Sequence, residues 1–107
     1  MIEGCIRGGG HIYKDTGLED CSVWIDSRSA AGLPIKLGKR VEIDLHIGGR
    51  SYQGGLRATR DCRVAWICPD VAGADRNLAK IFDRLKWQKN QRVLVSVDGT
   101  KITLTMP

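Results

Sequence analysis

Two stretches fifty-two residues apart decide the reading of this chain: Ala30-Ala31-Gly32-Leu33-Pro34-Ile35-Lys36-Leu37-Gly38-Lys39-Arg40-Val41-Glu42-Ile43-Asp44-Leu45, and Phe82-Asp83-Arg84-Leu85-Lys86-Trp87-Gln88-Lys89-Asn90-Gln91-Arg92-Val93-Leu94-Val95-Ser96-Val97. Laid side by side without a gap, they match Leu33 with Leu85, Ile35 with Trp87, Gly38 with Asn90 and Arg40 with Arg92. Val41, Ile43 and Leu45 then match Val93, Val95 and Val97. In each, a short helix or turn ends at the leucine and a connector follows. Gly38 or Asn90 sits where the chain must turn tightly, and these two residue types best tolerate positive φ. The alternating apolar residues after the turn predict a strand with one face buried.

Outward from these segments the pattern continues. Asp98-Gly99 signals a hairpin returning through Lys101-Ile102-Thr103-Leu104, and Gly48-Gly49 signals one returning through Ser51-Tyr52-Gln53. Upstream, Val23-Trp24-Ile25 resembles Ala65-Trp66-Ile67, and residues 78–85 read as a helix. Two similar halves, about 20–53 and 63–105, are too few for a solenoid and must close on each other. The expectation is one domain over residues 1–107. It is mainly β with one or two short helices, a pseudo-twofold open β-barrel of about seven strands. Trp24, Trp66 and Trp87 are expected to pack inside it.

The 107 residues suit one modest core. The formal net charge of +5 points to a polyanionic partner. Residues 36–63 hold seven basic side chains against Glu42, Asp44 and Asp61. Cys5, Cys21, Cys62 and Cys68 form no C-x-x-C pair, so buried thiols are expected rather than zinc. Neither a membrane-length apolar run nor a signal-peptide pattern is seen, which leads to the expectation of a soluble, cytoplasmic protein.

The segment Val23-Trp24-Ile25 followed by Ala30-Ala31-Gly32-Leu33-Pro34, and the later Leu85-Lys86-Trp87-Gln88-Lys89-Asn90-Gln91-Arg92-Val93, resemble the DNA-binding pseudobarrel of plant transcription factors. A Gly-Asp pair usually stands there where this chain has Asn90-Gln91. The same pseudobarrel serves as the DNA-sensing effector domain of some bacterial restriction endonucleases. Either half alone also resembles the swapped-hairpin barrels of bacterial transition-state regulators, and both units in one chain favour a monomer. The resemblance implies double-stranded DNA as partner, with a nuclease domain or subunit beside it, and two arms straddling the major groove. One arm would be the loop 14–20, beginning at Lys14, and the other the hairpin 50–63.

Residue chemistry adds to this. Alternation puts Tyr52, Leu56 and Ala58 on one face of the second arm, and Ser51, Gln53, Arg57 and Thr59 on the other. Arg57 suits guanine and Gln53 adenine, each pair giving roughly 1–3 kcal/mol of discrimination. Arg50, Arg60 and Arg63 are cast as phosphate contacts, Thr59 as a phosphate or thymine-methyl contact. Arg28, between Ser27 and Ser29 at an expected helix start, is a further phosphate candidate. An ordinary solvated strand face accounts for the same residues. No nucleophile–base spacing, phosphate loop or chelating cluster stands out, so neither catalysis nor a cofactor or metal is expected. A protein-interaction or assembly module with a basic face, and an RNA-binding barrel, remain alternatives.

Overall fold

The computed structural model describes residues 2–25, 32–36, 38–60, 64–72 and 75–107. They form β1 (Ile2–Ile12), β2 (Glu19–Ile25), β3 (Val41–Ile47), β4 (Arg50–Ala58), β5 (Ala65–Ile67), helix α1 (Leu78–Leu85), β6 (Arg92–Asp98) and β7 (Lys101–Thr105). The expected helix start at residues 27–29 lies outside the described residues.

The seven strands close into a barrel in the order β1-β2-β5-β4-β3-β7-β6, with β6 returning to β1. The circuit is therefore shut, not open. All neighbours are antiparallel except β3 and β7, which run parallel from Asp44↔Lys101 to Ile47↔Leu104. Alternation decides what fills the interior: Ile43, Leu45 and Ile47 from β3, Val93 and Val95 from β6, and Ile102 and Leu104 from β7 are buried. Burying each such side chain contributes about 1.5–3 kcal/mol.

Turn chemistry sets the register. Gly48 and Gly49, at φ +58° and +79°, make the two-residue loop between Ile47 and Arg50. Two positive φ values in a row suit the strand twist and favour glycine. Gly99, at φ +61°, plays the corresponding part between Asp98 and Lys101. Gly38 and Asn90 both turn with positive φ, +68° and +70°.

Helix α1 closes one end of the barrel. Leu78, Ile81, Phe82 and Leu85 recur at helical spacing and face the core. Asn77 caps its start, its side chain accepting from the Lys80 N–H at 2.9 Å. Lys86, at φ +63°, ends it in the left-handed conformation that glycine usually supplies. The turns at 13–18 and 48–49 lie at this helix end: Thr16 and Leu18 line a depression with Asp83 and Arg84, and Gly48 abuts Leu85. The opposite end carries the β4–β5 and β6–β7 turns, and Leu33, in the described part of the β2–β3 connector, is buried in the core.

Candidate nucleic-acid interface

Strand β4 carries most of the expected site, and its parity sorts the residues. Tyr52 and Leu56 point inward while Gln53 and Arg57 are exposed on the outer wall. Between those two lies Gly55, over which the guanidinium of Arg40 is laid so closely that any side chain there would collide with it. Arg40 is fixed by Glu42 at 3.1 Å and Asp70 at 2.6 Å. It is thus a neutralised clamp across the strand rather than a free cation.

Arg50 does not share this face. It pairs with inward-facing Ile47 and lies on the parity of Tyr52, at the helix end. Seven residues along an extended strand put it roughly 23 Å from Arg57. Lys14 is exposed in the tight turn closed by Gly17 N–H to Tyr13 O at 2.8 Å, also at the helix end. Because β2 and β5 run antiparallel, the β1–β2 and β4–β5 turns project from opposite ends of the wall. The structure therefore separates Lys14 and Arg50 from Arg57 and Arg60.

Thr59 and Arg60 open the β4–β5 turn. The Thr59 N–H donates to Val64 O at 2.9 Å, and its hydroxyl exchanges longer bonds, 3.3 and 3.4 Å, with the Val64 backbone. That hydroxyl is spent on closing the turn, which argues against a DNA contact. Arg60 is exposed beside it. Arg28 and Arg63, the other two expected phosphate contacts, lie outside the described residues.

The acidic residues of the other arm have structural partners. Glu19 accepts the Gly10 N–H at 2.9 Å and pairs with Lys89 at 3.0 Å, and Asp20 accepts the His11 N–H at 3.1 Å. They hold the irregular end of β1, where the β1–β2 register shifts between Gly8 and Ile12. The Lys89 bond and the Gly10 N–H keep the Glu19 carboxyl below its ordinary range.

The outer wall also holds residues that the sequence reading misassigned. Trp24 is 42% exposed instead of interior, and Trp66 is half-buried. The correction follows from parity: Val23 and Ile25 face inward, so the residue between them must face out. Trp24 and Trp66 are direct cross-strand partners with ring centroids 5.7 Å apart and planes 22° from parallel. Cross-strand register extends the row on both sides, to Cys5 and Arg92 through β1 and to Arg57 through β4. Only Trp87 fits the interior expectation, stacking on Phe82 at 5.5 Å against the core.

Two chemical possibilities stand beside this wall. Cys68 is buried, and burial pushes its thiol up even though Arg40 and Arg57 pull the other way, so it stays protonated. On the β3–β4 face, Ser51 Oγ lies 3.2 Å from His46 Nδ1, and His46 Nε2 lies 3.1 Å from Asp44 Oδ2. These are the residue types of a nucleophile, base and orienter. However, the His46 and Asp44 side chains are 29% and 47% exposed, so water competes for both bonds, and acyl transfer further needs aimed donors for an oxyanion. Their cross-strand spacing accounts for the chain of bonds by itself. Among the described residues no group of three or more His, Cys, Asp and Glu is placed to hold a metal, and no helix is long and apolar enough to cross a membrane. Against known proteins, no family model, no curated protein and no solved structure matches the chain.

Proposed function

We propose that the chain binds double-stranded DNA, without chemical change to it, at the end of the outer wall where β4 turns into β5. The observation that carries this reading is that Arg57 and Arg60 stand at that end without acidic partners, with Arg7 three strands away on the same wall. Among the described residues Arg7, Arg57 and Arg60 form no ion pair, whereas Arg40, Arg84 and Lys89 are held by carboxylates. A cation already paired contributes little to a polyanion; an unpaired one can release a counterion from it.

Groove dimensions rank the candidates. The major groove is about 12 Å wide and 8.5 Å deep and admits a two-stranded ribbon. β4 and β5 are flanked by β3 and β2 within the barrel, so what can enter the groove is the tip of their hairpin rather than a free ribbon. With its turn inserted, Arg57 lies roughly 7 Å from Thr59 and its side chain reaches the base edges. Gln53 lies roughly 20 Å back, farther than the groove is deep, so base reading falls to Arg57 rather than to Gln53. Arg60 and Arg7 then serve as phosphate contacts.

Anisotropy titrations with a duplex selected from random sequence and with an unselected duplex test this. Two phosphate contacts predict a slope of log affinity on log salt of about −1.8, and Arg60→Ala should reduce it by about 1 for both duplexes. Arg57→Ala should cost about 1–3 kcal/mol on the selected duplex and much less on the unselected one. Affinity indifferent to salt, or stronger binding to duplex RNA, would exclude this function.

A further inference from the structure

Beside the indole pair the outer wall is hollowed. A shallow depression of about 310 Å³ has Glu3, Cys5, Arg7, Trp24, Val64 and Arg92 among its lining residues. That is the lower end of the size range of small-ligand sites, about 300–1,000 Å³. Trp24 lines it and Trp66 does not. Trp66 stacks against Trp24, and the Trp24 Nε1–H donates to Ser22 Oγ at 2.8 Å. The exposed ring is thus fixed by a neighbouring ring and by a hydrogen bond at its edge. A planar ligand stacking on it would immobilise little that is not already ordered.

The rim completes a pattern. Arg7 has no carboxylate partner among the described residues, and Arg92 meets Glu3 only at 3.5 Å, with both side chains more than half exposed. Guanidiniums of this kind suit a phosphate, and the Glu3 carboxylate is an acceptor suited to an exocyclic amino group such as cytosine N4. An aromatic platform, phosphate donors and an amino-group acceptor around one hollow match the base face, the phosphate and the base's amino edge in a nucleotide. In paired DNA the base face is covered by its neighbours, so the ligand must be unpaired.

We propose that this depression holds one unpaired nucleotide of a DNA strand, so that the protein favours duplexes with an extrahelical base over fully paired ones. The proposal rests on the duplex-binding reading above. Base stacking on an aromatic side chain corresponds to about a 5- to 150-fold gain in affinity.

The test compares three versions of one labelled duplex: fully paired, with a single bulged cytidine, and with an abasic bulge at the same place. The bulged-cytidine duplex should bind about 5- to 150-fold tighter than the paired one and quench indole emission, while the abasic bulge gains little. Trp24→Ala should bring the ratio near one, Trp24→Phe should restore part of it, and Glu3→Gln should narrow the preference for bulged cytidine over bulged thymidine. Equal affinity for all three duplexes overturns this inference and leaves duplex binding standing; failure to bind any of them overturns both. Free cytidine monophosphate saturating the indole signal at the same low concentration would also overturn it, by showing a free-nucleotide site.

Discussion

Tyr52 ties the barrel to its helix through one phenol. Its hydroxyl, on an inward-facing side chain of β4, donates to Asp75 Oδ2 at 2.7 Å. Arg84 of α1 reaches both, at 2.8 Å to the Tyr52 oxygen and 3.1 Å to Asp75. Tyr52→Phe removes a hydrogen bond to a charged acceptor, about 1.5–3 kcal/mol, and should lower Tm by roughly 5–15 °C in a calorimetric scan. The Tyr52 hydroxyl and Arg84 hold the Asp75 carboxyl below its ordinary value of 3.8, although burial pushes the other way. A carboxyl lowered by folding stabilises fully above that value, and its contribution is lost as pH falls through the folded value. The stability difference between the wild type and Asp75→Asn should therefore be largest near neutrality and shrink below about pH 4. A difference that stayed constant down to pH 2 would contradict the assignment. Parity is legible at this scale: Val23-Trp24-Ile25 alternates as Val41-Glu42-Ile43 does, which places Trp24 on the outer face. Arg40 over Gly55 was not legible, because no local pattern announces which distant side chain crosses a strand.

Among the elements, α1 followed the sequence reading to its bounds, residues 78–85, since helical periodicity and the Asn77 cap are local signals. Its end departs from the local rule: Lys86 adopts a positive φ that costs a non-glycine residue about 1–2 kcal/mol. Lys86→Gly should raise stability by about 0.5–1 kcal/mol in urea unfolding, the gain being limited by the greater chain entropy of glycine when unfolded. A loss of stability would mean that the lysine stem packs usefully at the helix end. Strand β1 shows the opposite case. Its later half runs through Gly8-Gly9-Gly10, which have little strand propensity. What orders it are the Glu19 and Asp20 carboxylates on the Gly10 and His11 N–H groups, partners nine residues away in sequence.

For the molecule as a whole, a β-barrel of seven strands could be read from two alternating segments and their glycine turns. The strand order could not. Alternation tells a strand which face is buried but not which strand lies beside it, and the parallel β3–β7 seam leaves no local mark. The same gap explains why the two arms expected to straddle one groove project from opposite ends once β2 and β5 pair antiparallel about Trp24 and Trp66. The most direct measurement is a backbone amide NMR titration of the full chain with duplex DNA. Shifts should concentrate at residues 5–7, 57–60 and 64–66, with the helix end around Lys14, Lys80 and Arg84 little changed. Shifts centred on that helix end, or none at all when DNA is in excess, would contradict the interface.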